Sequence, residues 1–282
     1  MAVYNNEGLV LDSIWNFKGE LLSEAYDVNG QPIYTNEPTI TEQTFSVMTY
    51  NIAVFTSRNT EEVIGNIVNM YNADLIGLQE VQKTTLSPIF NRVFSDYPYY
   101  SLGAQYNKDA IVSKYPLSDI TKKIYDYNTL ETKGYHKCYF EFQGKRICWF
   151  NTHLETTAGG TAKVTQAKQM HDLILNEEYF VVTGDFNTIC EDVTHSNYID
   201  IMKPFIDRGC HSMNCSPESG FIDTWSDGWD WVNYDCYPCD HIIISPTLKF
   251  TKTIFDKYKE TVLTSQKLDH IPMYAEIALV NN

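Results

Sequence analysis

Residues 180–187 read FVVTGDFN. An apolar run this short, closed by Gly-Asp-Phe-Asn, reads as a fully buried strand that delivers Asp185 and Asn187 at its C-terminal end. The same design recurs on both sides. FSVMTYNI (45–52) brings Asn51 to a strand end, DLIGLQ (74–79) runs into Glu80, and RICWFNTHL (146–154) carries Asn151 and His153. Two further apolar runs, HIIISP (241–246) and HIPMYAEIAL (270–279), start directly after Asp240 and Asp269. Strand-like text also covers PYYSLG (98–103), DAIVSK (109–114) and KCYFEF (137–142), the last joined to the 146–154 run through the turn residues Gln143-Gly144-Lys145.

Helical spacing separates these strands. Asn59 and Glu62 form a capping box ahead of Val63, Ile64, Ile67, Val68 and Tyr71. Ala162–Leu175 repeats apolar residues at the same period, and a further helix is expected over 86–95. Two layers of sheet with helices outside them account for strands this numerous and this hydrophobic.

The chain has 282 residues, 43% hydrophobic, with a formal net charge of −15. The apolar fraction excludes a disordered chain. No apolar run reaches the ~18 residues of a membrane span, so no stable membrane insertion is expected. The start, MAVYNNEGLV, lacks the basic and then apolar regions of a signal peptide. Residues 1–44 hold seven acids and one base, and 209–248 hold six acids and no base. The first of these segments is read as an acidic N-terminal extension or linker, with turn signals at Asn29-Gly30 and Pro38, followed by a catalytic domain over 45–282. Net charge of this sign argues against a general polyanion binder, but not against an enzyme that meets phosphate through a bound cation.

Seven cysteines, an odd number, mean at least one thiol or a non-disulfide role. Cys138 and Cys148 read as core thiols. Cys210, Cys215, Cys236 and Cys239 allow either disulfides or a structural zinc set. Such a pattern is compatible with a secreted or surface-associated protein.

The polar residues at the strand ends are of one chemical type. Carboxylates and an amide suit a hard divalent cation, Mg²⁺ first with Mn²⁺ or Ca²⁺ as alternatives, and none is a Cys. Two histidines among carboxylates suit proton transfer near neutrality. Together they fit metal-assisted displacement at phosphorus.

The ordered series TYNI (49–52), GLQEV (77–81), NTHLE (151–155), GDFN (184–187), CDHIII (239–244) and LDHIPM (268–273) resembles the endonuclease/exonuclease/phosphatase superfamily, in particular its deoxyribonuclease-I-like branch. The resemblance implies a four-layered α/β sandwich of two mostly antiparallel sheets flanked by helices. It implies Glu80 as principal metal ligand, with Asn51 and Asp269 helping to hold the cation or its waters. Asp185 would orient or deprotonate the attacking water, and Asn187 would hold the scissile phosphate. His270, oriented by Asp240, would act on the phosphoryl group, with His153 as second histidine. Asp109 is the candidate carboxylate supporting His153, and His241 a candidate phosphate contact. Ala53 stands where the abasic-site branch has Asp, and that branch has no histidine at position 153. Cys190 resembles a disulfide cysteine of the nuclease branch, with Cys236 or Cys239 as its partner.

The resemblance points to a monomeric phosphodiesterase cutting DNA. A phospholipid or small phosphoester on the same scaffold is the alternative. The stretch TWSDGWDWVNYDCYPCD (224–240) is either a self-packed aromatic loop, a base-stacking platform or a lipid-facing hairpin.

Overall fold

Successive side chains of a strand point to opposite faces of its sheet, so each strand here supplies one row to each of two layers. The structure, a computed structural model, describes residues 24–26, 32–35, 43–52, 58–81, 91–103, 108–129, 131–156, 161–190, 192–226, 236–255 and 269–280. Contacts divide the chain into Met1–Gln43 and Thr44–Asn282. In the first unit, β1 (Glu24–Tyr26) pairs antiparallel with β2 (Pro32–Thr35).

The second unit runs β3 (Phe45–Asn51), α1 (Arg58–Tyr71), β4 (Leu75–Gln79), α2 (Asn91–Val93), β5 (Tyr99–Leu102), β6 (Ala110–Ser113), β7 (Ser118–Ile124), β8 (Gly134–Phe142), β9 (Lys145–His153) and α3 (Thr161–Leu173). It continues with β10 (Phe180–Asp185), a π-helical turn over Tyr198–Met202 that leads into α4 (Lys203–Asp207), β11 (His211–Ser212), β12 (Trp225–Ser226), β13 (Cys236–Tyr237), β14 (Asp240–Ile244), β15 (Leu248–Phe255) and β16 (Met273–Leu279). Among the described residues there are two six-stranded sheets, ordered β15-β16-β3-β4-β6-β5 and β11-β14-β10-β9-β8-β7. Within them only β3–β4 and β9–β10 pair in parallel. This is the α/β sandwich of mostly antiparallel sheets.

Three apolar layers separate four layers of secondary structure. Met48, Tyr50, Ile76, Leu78 and Val112 pack on Ile64, Ile67 and Val68 of α1. Phe45, Val47, Leu75 and Ile111 of one sheet meet Phe140, Trp149, Val181, Ile242 and Ile244 of the other. Phe150, Phe180, Val182 and Ile243 pack on Ala167 and Met170 of α3.

The middle layer changes character along the strands. Above its apolar floor lies a buried polar belt. Asn151 donates to the carbonyls of Leu78 and Ala110 in the facing sheet, at 3.2 and 3.1 Å. Its Oδ1 accepts from Gln79 Nε2 and Thr183 Oγ1, each at 2.9 Å. Bonds of this kind fix the sheets against each other, which apolar contact alone does less specifically. Gly77 makes room for them, since a Cβ there would lie 2.2 Å from Asn151 Oδ1. Two residues further along β3, β9 and β10, and one residue past Gln79 of β4, come the candidate site residues Asn51, His153, Asp185 and Glu80.

Two edge strands, β7 and β15, are absent from the sequence reading, as is the π-helical turn with α4. Of the helix expected over 86–95, residues 86–90 lie outside the described residues and 91–93 form α2; Ala53 and the side chain of Asn59 also lie outside them.

Candidate active site

Strand alternation carries Val47, Thr49 and Asn51 on the inner face of β3, and Val181, Thr183 and Asp185 on the inner face of β10. On β9 the inner row is Ile147, Trp149, Asn151 and His153. Strand register then aligns the ends: Asp185 lies opposite His153 on one side and Asp240 on the other. Asn51, Asp185, His153, Asp240 and His270 are all nearly inaccessible to solvent.

Asp185 is the hub. Its Oδ2 accepts from Asn51 Nδ2 at 3.0 Å and lies 3.3 Å from His153 Nε2 and 3.6 Å from His270 Nε2. Its Oδ1 accepts the backbone N–H of Asn187 at 2.8 Å. Burial pushes its carboxyl up to about 6, with Asp240 adding to the effect, while His270, Asn51 and Asn187 pull the other way. The tight approach of β9 to β10 requires Gly184, where a Cβ would sit 2.2 Å from the Thr152 carbonyl oxygen.

His270 Nδ1 lies 2.8 Å from Asp240 Oδ2. Burial opposes charge on this ring, but the Asp240 and Asp185 carboxylates outweigh it and lift it to about 10. His270 is therefore a cation at neutral pH. His153 is the opposite case: burial, assisted by Lys133, His270 and Lys108, holds it well below the ordinary histidine range. Two histidines of one site are thus driven to different charge states by their surroundings.

Strict alternation would place Glu80 on the outer face with Leu78. A left-handed backbone (φ 60°) turns it instead, and its Oε1 lies 3.4 Å from Asn51 Nδ2. A non-glycine residue held there costs on the order of 1–3 kcal/mol. Burial raises the Glu80 carboxyl, and Asp185 and Asp269 add to that against His270 and Lys133. Asp269 Oδ2 accepts from the Trp225 indole at 3.1 Å, and its buried Oδ1 has no hydrogen-bond partner among the described residues. Hard oxygen donors with an orphaned carboxylate oxygen suit a divalent cation, with Glu80, Asp269 and Asn51 as its candidate holders. Among the described residues, the ligand-type side chains whose atoms lie within 4.8 Å of one another are Asp185, Asp240 and His270, not Glu80 or Asp269. The His270–Asp240 hydrogen bond already occupies that group.

Asn187, also left-handed (φ 50°), is half-buried and donates through Nδ2 to the Leu154 carbonyl at 2.8 Å. Asp109 lines one cavity of about 330 Å³ with Glu80, His153, Lys108, Glu131, Thr132 and Lys133. His241 sits elsewhere. It neighbours Asp240 in β14, so its ring faces the other side of the sheet, packing on Phe186 with Nε2 2.8 Å from Thr188 Oγ1. Full burial there pushes it down to about 3, which does not suit contact with phosphate.

Two residues at the site escape the sequence reading in these roles. Lys133 Nζ lies 2.9 Å from His153 Nε2. No local signal marks it; the β8–β9 register, with Tyr135 opposite Thr152, brings it there. Trp225 belongs to the aromatic stretch, and its β-bridge to His270 and stacking on Tyr237 (5.8 Å between ring centroids) place it at the site edge. The rest of that stretch, 227–235, lies outside the described residues.

The cysteines depart from the pairing the resemblance implies. Cys190 Sγ lies 3.0 Å from Cys215 Sγ, whereas Cys239 donates to the Thr188 carbonyl. The side chain of Cys236 lies outside the described residues. Among those described, Cys210, Cys215 and Cys239 do not gather as a metal-holding group.

A sequence profile described as the Endonuclease/Exonuclease/phosphatase family matches residues 48–271. An endonuclease/exonuclease/phosphatase from Bacteroides vulgatus is similar in structure at 16% identity and a TM-score of 0.65, over 85% of this chain and 100% of that one. TDP2 of D. rerio, complexed with single strand DNA product, aligns at 13% identity and 0.64 over 84% and 99%. The mannosyl-6-phosphatase of Bacteroides thetaiotaomicron aligns at 17% and 0.60 over 83% and 100%. No curated protein matches the chain by sequence.

Proposed function

This chain is a phosphoester hydrolase of the endonuclease/exonuclease/phosphatase family, and on that premise we propose that it is a divalent-metal-dependent phosphodiesterase acting on DNA. The observation that carries the reading is the single oxygen Asp185 Oδ2, set between His153 and His270 at 3.3 and 3.6 Å.

Asp185 is the proton acceptor for the attacking water. Asn51 Nδ2 and the Asn187 N–H hold its carboxylate in one orientation, so little rotamer freedom remains to be lost. His270, kept cationic by Asp240, faces the charge that grows on the phosphoryl oxygens and donates from Nε2. Neutral His153 closes the opposite side. Glu80, Asp269 and Asn51 are the candidate holders of the cation. When bound, Mg²⁺ supplies Lewis-acid neutralisation of the phosphoryl oxygens.

The paired histidines resemble the nuclease and sphingomyelinase branches alike, and DNA as substrate is supported by the shared fold with TDP2 bound to its single-strand product. The cavity of about 330 Å³, with two lysines in its wall, favours a compact phosphoester as second reading. A panel of supercoiled plasmid, sphingomyelin and inositol phosphates, each with Mg²⁺ and with EDTA, decides between them. Plasmid nicking that EDTA abolishes is expected. Intact plasmid alongside turnover of another substrate overturns the DNA assignment.

A further inference from the structure

Lys133 is 7% exposed, yet its ammonium is paired with a carboxylate that is not buried. Its ion-pair partner is Glu131 at 2.8 Å, whose side chain is 54% exposed. A pair of that kind contributes little, and within the cavity the ammonium also acts at longer range on Glu80, whose carboxyl it pulls down. The other neighbour, His153 Nε2 at 2.9 Å, can only accept from an ammonium and brings no negative charge.

The backbone around Lys133 is braced to keep it there. Its N–H donates to Asn128 Oδ1 at 2.9 Å, and its carbonyl accepts from the Tyr125 N–H at 3.1 Å. Asn128 Oδ1 also accepts from Gln166 Nε2 of α3, at 3.1 Å. Buried Glu155, just past β9, takes the Thr129 N–H at 3.0 Å and its hydroxyl as well. These bonds fix the main chain while leaving the ammonium in the wall of the cavity that Glu80 and His153 share. Lys108 lines the same cavity. Its carboxylates outnumber its ammoniums until a divalent cation is bound, and then the balance becomes positive.

We propose that Lys133 is a phosphate-binding residue of this centre, its ammonium taking a non-bridging oxygen of the substrate's phosphoryl group beside His153. The proposal rests on the phosphoester reading above and deepens it. A phosphoryl oxygen gives the ammonium a partner inside the cavity, on the side of the centre that His153 lines. The phosphoryl group belongs either to a terminal monoester or to an internal diester.

The test measures binding of inorganic phosphate and of dimethyl phosphate to the full chain in Mg²⁺ by titration calorimetry. It compares wild type, Lys133→Met and Lys133→Arg, with folding checked by thermal melting. Loss of a charge-assisted hydrogen bond is expected to weaken binding at least ~10-fold in Lys133→Met, with Lys133→Arg within ~3-fold of wild type. Weakening for inorganic phosphate alone assigns a terminal group; weakening for both probes assigns a diester. If Lys133→Met fails to fold, an equally weakened Lys133→Arg, with its charge kept, counts against the proposal, and retained binding supports it. A folded Lys133→Met that binds both probes within ~2-fold of wild type overturns it, as does a wild type that binds neither. Plasmid nicking is scored separately: no nicking with Lys133-dependent phosphate binding removes the DNA substrate and leaves this site standing.

Discussion

His270 Nδ1 and Asp240 Oδ2 are 2.8 Å apart and both buried, which makes Asp240 a principal reason that a buried imidazole stays charged. The pH profile follows with a definite sign. Asp185 accepts a proton only when ionised, so kcat/KM should rise as pH passes about 6. It should fall again as pH approaches about 10, where His270 loses its proton. In Asp240→Asn the attraction is gone and burial remains, so the alkaline limb should move to lower pH. An alkaline limb left in place by that substitution would remove His270 as the cation.

The hub and the metal ligand should be costly to alter. Glu80→Gln, Asp185→Asn and His270→Ala should each lower kcat at least ~10²-fold, the usual scale for a positioned acid, base or electrostatic group. Glu80→Gln should also weaken Mg²⁺ binding in calorimetry, whereas His270→Ala should not. A variant turning over at the wild-type rate has no place in the centre.

Trp225 is expected to tune the site through Asp269, since its indole donates to Asp269 Oδ2 at 3.1 Å. Trp225→Phe keeps the ring and removes the donor. It should weaken Mg²⁺ binding by about 3- to 10-fold, in the range of one ordinary hydrogen bond. Unchanged metal affinity would reduce Trp225 to a packing residue.

Gly184→Ala should destabilise the fold by roughly 2–4 kcal/mol, because the added Cβ meets a backbone carbonyl that cannot rotate away. A urea midpoint equal to wild type would mean that β9 and β10 separate without cost.

The Cys190–Cys215 approach makes a specific redox prediction. Exposure to a disulfide donor should remove two titratable thiols and yield a cross-linked peptide pair containing positions 190 and 215. The sulfurs need to move by only about 1 Å to reach bonding distance. A cross-link from Cys190 to Cys239 instead would contradict the geometry.

Most strands that the sequence revealed share one property, the edge strand β5 with its exposed Tyr99 and Tyr100 being read from its aromatic residues instead. Strands β3, β4, β9, β10, β14 and β16 are buried on both faces, so they appear as apolar runs whatever lies beside them. Strands β7 and β15 are edges, with mostly exposed side chains such as Lys122, Lys123, Lys249 and Lys252. Charge at an edge blocks pairing with other chains, and for the same reason SDITKKI and LKFTKTIF do not read as strands. The π-helical turn over 198–202 escapes because its repeat is not the helical one.

At the site, sequence by itself determined which residues reach the strand ends and which faces Asn51, His153, Asp185 and Asp240 occupy, because a period of two leaves no choice within a buried strand; Glu80, turned by its left-handed backbone, breaks that period. The same rule, applied to adjacent Asp240 and His241, sends them to opposite sides of their sheet. Only the tertiary structure decided charge and company. That His270 is cationic and His153 neutral depends on Asp240, Asp185 and Lys133, which come from three other parts of the chain. Lys133 arrives through strand register, and Cys215 meets Cys190 through a loop path. Electrostatic environment is a property of neighbours in space, and no local pattern of residues encodes it.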